Sequence, residues 1–212
     1  MKKIGLVLIV VLSLLFALYV SFFYIIVDYN QAPFIVGKKQ LFGPQSTVWY
    51  FFLFMHVIGS LASVIVGPFM FIDRLRIKYI KWHRGVGIFY YLSILLGSIS
   101  GFYLSFFTTG GLPAAIGLLL LSLLWFFTAF QAFRNIRQKN VKLHQQWMIR
   151  NYSLTFATVT LRLWLPITIL FVGEENFPLS FAISIWISWV LNLLFAEWII
   201  KRKQATAKTI AA

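Results

Sequence analysis

Two of the three histidines in the chain occupy matching positions in two similar stretches of sequence. His83 ends the stretch 74–83. His144 ends the stretch 135–144, which lies 61 positions further on and is identical to the first at four of ten positions. Neutral imidazole is a common ligand of metals and of haem iron. The pair therefore points to a b-type haem held by two histidines. A structural role at the membrane interface, or contact with lipid headgroups or a quinone, is left open as an alternative.

An arginine accompanies each of these histidines. Arg84 follows His83 directly, and Arg150 lies six residues after His144. A guanidinium pairs well with carboxylates, so both arginines suit the propionates of a haem. The chain has no cysteine, which excludes disulfides, iron–sulfur clusters and covalent haem attachment, and no metal other than haem iron is expected. No pair of acids, catalytic triad or nucleotide-binding loop is evident, so the sequence leaves open whether the protein is an enzyme.

A second polar set combines His56 with one face of a later helix, on which Thr155, Thr158 and Arg162 recur at spacings of three and four. Arg162 lies inside a long apolar run. An arginine at the centre of a membrane-spanning helix costs from about 2.5 to more than 10 kcal/mol, so it should face the interior beside a partner. These residues predict a buried polar site. It would be either a structural pair, with the arginine bound to backbone carbonyls, or a site for an anion, a quinone or a propionate.

The elements that must position these residues are membrane spans. The chain is 60% hydrophobic and 11% charged, with a mean hydropathy of +0.84, whereas a soluble domain carries roughly 25% charged residues. Six apolar runs are each near the roughly 20 residues that a helix needs to cross a bilayer. We therefore predict one all-α membrane domain over residues 1–212, with spans at about 4–27, 48–72, 85–107, 112–133, 152–172 and 178–200.

The basic residues predict the orientation. The net charge is +14, and the lysines and arginines concentrate in the gaps on one side of the apolar runs, which excludes a nucleic-acid role and makes that side cytoplasmic. Both termini then lie inside. The hairpins of spans two–three and four–five share one orientation, so we predict a four-helix core built from two parallel repeats. Spans one and six would flank it, and the segment 28–47 would form an outer loop with a short interfacial helix or a cover.

Two acidic residues have predicted local partners, and several small residues have a predicted packing role. Asp73 is expected to pair with the arginines that follow it, and Glu197 with Lys201 four residues on. Small residues recur on one face of span two, from Ser60 to Ser63, and on span three at Gly97 and neighbouring positions. Such faces allow close helix packing in membranes.

The most specific blocks of the chain lie around the histidines and arginines. They are Gly67-Pro68-Phe69, His83-Arg84-Gly85-Val86-Gly87, and His144-x-x-Trp147-Met148-x-Arg150 followed by Arg162. Over residues 51–166 the chain resembles the bacterial membrane family named domain of unknown function 2306. The resemblance implies a location in the bacterial cytoplasmic membrane and carries no activity. The arrangement of histidines and arginines at helix ends is also similar to that of small haem-b membrane proteins, by architecture alone.

These observations lead to two functional hypotheses. The first is a haem-b or quinone-linked redox protein that works in the lipid bilayer with a quinone or a respiratory membrane partner. The second is a non-enzymatic transporter, lipid-binding protein or assembly factor that uses the His56/Arg162 site. The remaining hypothesis is that the protein has only a structural role, as a partner subunit.

Overall fold

The structure is a computed structural model that describes residues 3–211, with the side chains of residues 5–24 and 26–206. Within this range the secondary structure is helical and contains no strand, which confirms the all-α prediction. Six helical segments are long and apolar enough to cross a membrane, as predicted. Lys2, which contributes to the predicted orientation, lies outside the described residues. The six segments are Gly5–Tyr24, Thr47–Phe71, Ile80–Ser105, Gly111–Arg137, Val141–Val172 and Glu174–Thr206.

The chain divides into two compact units, Met1–Thr109 and Gly110–Ala212. In the first unit α3 (Thr47–Val66) packs along α5 (Ile80–Ser105), and α1 (Lys3–Ser21) lies against α3. In the second unit α6 (Gly111–Arg137) packs on α7 (Val141–Thr155), and α9 (Phe177–Ala211) packs on α6, α7 and α8 (Ala157–Val172). The predicted repeat of two hairpins stays a prediction. The helices are α1 (Lys3–Ser21), α2 (Pro33–Phe42), α3 (Thr47–Val66), α4 (Asp73–Lys78), α5 (Ile80–Ser105), α6 (Gly111–Arg137), α7 (Val141–Thr155), α8 (Ala157–Val172) and α9 (Phe177–Ala211).

Two helices begin earlier than the apolar runs that predicted them. The third span starts at Ile80 rather than at 85, and the fifth starts at Val141 rather than at 152. Lysine, arginine and glutamine are good helix formers, so helical hydrogen bonding continues beyond the hydrocarbon region. The side chain of Asn140 caps α7 by accepting a hydrogen bond from the backbone N–H of Leu143 at 3.1 Å. As a result, His83 and His144 lie within helices rather than in loops.

The segment 28–47 contains the short helix α2. Its first residue, Pro33, has the φ that a helix start needs, and Gly43 ends it with a φ of +74°, a conformation that favours glycine. Ile35 of α2 is fully buried and joins a cluster with Trp49 and Leu53 of α3. This agrees with the predicted short helix in this segment.

Small residues bring α3 and α5 close together. A Cβ atom added to Gly59 would lie 2.6 Å from the carbonyl oxygen of Ser93 and 2.7 Å from the backbone nitrogen of Gly97. No side chain fits at Gly59 without separating the two backbones. Ser60 and Ser63 of α3 are also buried, as expected for a small face that packs on a neighbouring helix.

The fifth span is one helical segment, Val141–Val172, with a local irregularity at Phe156 that the apolar pattern does not predict. α7 ends at Thr155 and α8 begins at Ala157, with a turn at Phe156 whose N–H donates to the carbonyl of Tyr152. One turn after Arg162, Pro166 lies inside α8. Because proline has no N–H, it cannot donate the usual helical hydrogen bond to the carbonyl of Arg162.

Candidate functional site

His144 is the fourth residue of α7 and is half-buried. Its Nδ1 lies 2.8 Å from the carbonyl oxygen of Ala132 on α6. A carbonyl oxygen only accepts hydrogen bonds, so Nδ1 carries the hydrogen and the neutral ring has its lone pair on Nε2. Metal-ligating histidines are commonly oriented by such a bond from the other ring nitrogen. The bond to Ala132 therefore orients the ring and, in the neutral form, places the hydrogen on Nδ1.

His83 is the fourth residue of α5, the same place that His144 has in α7. The side chain is half-buried and its Nδ1 atom is buried. Gly87 lies one turn further along the helix, and a Cβ added there would meet no described atom within 4 Å. Arg84 is exposed. His83 belongs to the first unit and His144 to the second, and their predicted pairing stays a prediction.

Arg150 binds Glu197 at two points. Its Nε donates to one carboxylate oxygen, and its Nη2 donates to the other at 3.0 Å, so α7 is joined to α9. The guanidinium also lies 4.6 Å from the ring centre of Trp147. The prediction that Glu197 pairs with Lys201 was wrong about the partner, because the planar fork of an arginine matches a carboxylate better than a lysine does. The prediction for Asp73 is confirmed by a 2.7 Å ion pair with Arg76.

His56 is half-buried on α3 and uses both ring nitrogens within the first unit. Its Nδ1 lies 2.8 Å from the carbonyl oxygen of Gly97 on α5, and its Nε2 lies 3.4 Å from the hydroxyl oxygen of Ser60. In the neutral ring Nδ1 donates to Gly97 and Nε2 accepts from Ser60. This histidine therefore joins α3 to α5 one turn before the tight contact at Gly59.

Arg162 is exposed on α8, and the predicted polar site that combines it with His56 stays a prediction. Its Nη1 donates to the carbonyl and hydroxyl oxygens of Thr158, at 2.9 and 3.1 Å, one turn earlier on α8. These two bonds tie the guanidinium to its own helix in the second unit. His56 belongs to the first unit.

Thr155 belongs to a different polar cluster in the second unit. It accepts a 2.8 Å hydrogen bond from the indole N–H of Trp125 and donates to the carbonyl of Asn151 at 3.1 Å. Asn151 is fully buried and donates to the carbonyl of Trp125 and the hydroxyl of Thr128, both at 2.9 Å. Thr155 therefore bonds within this cluster on α7, whereas Arg162 bonds to Thr158 on α8. The spacing in the sequence predicts one shared face for Thr155 and Arg162.

The sequence predicts no site role for Lys38, which lies in the predicted outer loop 28–47, but the structure buries it. The side chain is 3% exposed, its ammonium donates to the carbonyl of Phe107, and it lies 4.9 Å from the ring centre of Phe42 and 5.6 Å from that of Trp49. Burial lowers the pKa of Lys38 below its ordinary value of 10.5. The spacing of Ile35, Lys38 and Phe42 on one helical face was the available signal.

The fold and the polar residues define a class: this is a helical membrane protein with six candidate spans. More specifically, the chain belongs to the family described as "Predicted membrane protein (DUF2306)", whose profile matches residues 53–200. This confirms the resemblance carried by the histidine and arginine blocks. The family description assigns a membrane location and no activity. No curated protein and no solved structure matches the chain.

Proposed function

We propose that the protein is a small redox protein of the bacterial cytoplasmic membrane that binds haem b and has both termini in the cytoplasm. The observation that carries the proposal is the 2.8 Å contact between Nδ1 of His144 and the carbonyl of Ala132. This contact selects the tautomer whose Nε2 can ligate iron. The location and orientation rest on the family and on the distribution of lysine and arginine.

Bound haem would supply one-electron transfer. In the proposed site His144 binds through Nε2, and the carbonyl of Ala132 keeps its ring from rotating. His83 is proposed as the second ligand because it occupies the position in its stretch of sequence that matches His144. Arg84 and Arg150 would bind propionate oxygens, and Arg150 would do so with the part of its guanidinium that does not face Glu197. A quinone or a respiratory membrane protein is the expected electron partner.

The test is a visible spectrum of the purified protein, expressed with a haem precursor and recorded oxidised and dithionite-reduced. We expect a Soret band at roughly 400–430 nm that shifts on reduction, as in bis-histidine haem proteins. His144→Ala and His83→Ala should each lose the band. His56→Asn is the matched control and should keep it, because the asparagine amide nitrogen lies where Nδ1 was and can still donate to the carbonyl of Gly97. A wild-type protein without a band, or a His144→Ala variant that keeps it, would refute the proposal.

The exposed Arg162 favours a second function, that of a transporter, lipid-binding protein or assembly factor using Arg162 and His56. Exposing an arginine to hydrocarbon is costly, so its surroundings should be polar or hydrated. The chain has no cysteine, which allows direct labelling. Under this function Thr158→Cys should react quickly with a membrane-impermeant maleimide. Leu163→Cys, at a neighbouring apolar position that is 50% exposed, should react slowly. Equal slow labelling of both would count against the second function.

A further inference from the structure

The first unit contains a second polar site that neither functional hypothesis uses. A cavity of about 400 Å³ lies between α2, the start of α3 and the residues that follow α5. We name it the Lys38 cavity. The residues that matter to its chemistry are Lys38, Phe42, Ser46, Trp49, Phe106 and Thr108.

The charge at this cavity lacks a carboxylate partner. Lys38 is 3% exposed, and its ammonium is held by the carbonyl of Phe107 and by two aromatic rings. Among the described residues the ion pairs are Asp73–Arg76 and Arg150–Glu197, and neither involves Lys38. Burying an ammonium without an opposite charge is unfavourable, because neutral acceptors replace only part of its hydration. An anion in the cavity would complete the site.

A buried hydroxyl group supplies a second, independent indication of a ligand. The Oγ1 atom of Thr108 is buried, and it has no hydrogen-bond partner among the described residues. Buried polar atoms are normally hydrogen-bonded, so such an atom at a cavity calls for a bound group. A threonine hydroxyl can donate to an anionic oxygen, and Thr108 is one of the residues that line the same cavity as Lys38.

The residues that line the cavity lie between or at the ends of candidate membrane spans. In chain order α2 comes between the spans Gly5–Tyr24 and Thr47–Phe71, and Trp49 is in the first turn of the second of these. Phe42 is 58% exposed and Phe106 is 64% exposed, so apolar rings border the charged site. A ligand that combined an anionic headgroup with an apolar tail would satisfy both parts of the site.

We propose that the Lys38 cavity binds the monoanionic headgroup of an amphiphile. Its anionic oxygens would accept hydrogen bonds from the ammonium of Lys38 and the hydroxyl of Thr108, and its apolar tail would pack on Phe42 and Phe106. A phospholipid phosphodiester and a fatty-acid carboxylate share this chemistry. The site belongs to the first unit alone and does not depend on haem.

The experiment is native mass spectrometry of the purified full chain in detergent, titrated with phosphatidylglycerol, oleate, phosphatidylcholine or inorganic phosphate. We expect one saturable adduct with phosphatidylglycerol, oleate or both, and the stronger of the two identifies the headgroup. Lys38→Met should weaken binding roughly tenfold or more, since it removes a charged hydrogen bond. Thr108→Val should weaken it about threefold. Lys39→Met, at the adjacent lysine whose ammonium is 2.7 Å from Asn30, should stay near wild type.

Three results would overturn the proposal. The first is equal binding by Lys38→Met and the wild type. The second is binding of phosphatidylcholine as strong as that of phosphatidylglycerol and oleate. The third is binding of inorganic phosphate with neither anionic amphiphile. If Lys38→Met fails to fold, Thr108→Val decides the matter together with Lys38→Arg, which keeps the charge and should retain binding. Unchanged affinity in Thr108→Val would then refute the site.

Discussion

Arg150 and Glu197 join α7 to α9 by two hydrogen bonds from one guanidinium to both oxygens of one carboxylate. Their side chains are 20% and 36% exposed, so solvent weakens the pair but does not abolish it. The pair thus anchors α7, the helix that carries the candidate haem ligand His144, to the last span. This pair is a direct target for mutation.

Removing the pair should destabilise the second unit moderately. We expect Glu197→Gln to lower the free energy of unfolding by about 1 kcal/mol, because charged hydrogen bonds that are partly exposed contribute about this much. Arg150→Gln and the double variant Arg150→Gln/Glu197→Gln complete a double-mutant cycle. Thermal unfolding in detergent then gives the coupling energy between the two side chains. Lys201→Gln is the control for the pairing predicted from helical spacing. A larger effect from Lys201→Gln than from Arg150→Gln would contradict the structure.

A side chain at Gly59 should separate α3 from α5. Its Cβ would meet the backbone of Ser93 and Gly97 at 2.6 and 2.7 Å, so Gly59→Ala should cost roughly 1–3 kcal/mol of stability. Gly37→Ala in α2 is the matched control. A Cβ there meets no described atom within 4 Å, and the change should be neutral or stabilise by up to about 1 kcal/mol. Unfolding temperatures that fall equally in both variants would argue against the close contact.

Loss of the buried amide of Asn151 should weaken the second unit. Asn151→Leu removes two hydrogen bonds and leaves the hydroxyl of Thr128 without one of its partners, at a cost of about 1 kcal/mol or more. Asn176→Leu is the control, because Asn176 is exposed and its amide is 3.4 Å from its acceptor. The measurement is the midpoint of thermal or denaturant unfolding. An Asn151→Leu midpoint no lower than that of the control would refute a stabilising role.

The buried Lys38 should make stability depend on alkaline pH. Because burial lowers its pKa in the folded protein, the folded state loses this proton at a lower pH than the unfolded state does. Below the lowered pKa, Lys38 is charged in both the folded and the unfolded state, and folding carries the full cost of burying this charge. Stability should therefore rise with pH between the lowered pKa and the ordinary value of 10.5, then level off.

This rise is measured as the difference in unfolding temperature between the wild type and Lys38→Met, in protein freed of lipid. The other polar groups at the cavity are Gln45, Ser46 and Thr108, and none of them titrates. The ammonium of Lys39 instead donates a hydrogen bond to the side-chain oxygen of Asn30. A temperature difference that stays constant across the alkaline range would show that Lys38 is not buried as a cation.

The sequence alone was sufficient for the membrane class, the number of spans and the family. Each span is a local property, since a run of apolar residues either matches the bilayer thickness or does not. The local ion pair of Asp73 with Arg76 followed from spacing on one helix for the same reason. The helix ends were less predictable, because helical bonding extends past the apolar runs at Ile80 and Val141.

Tertiary structure decided which polar groups meet. The ring orientation of His144 depends on a carbonyl of another helix, and the partner of Glu197 is an arginine 47 positions away rather than the lysine one turn along. The contact that buries Lys38 joins residues 69 positions apart. Helical periodicity gives the face on which a residue lies, but not which distant backbone atoms or side chains face it, because those pairings arise only when helices pack.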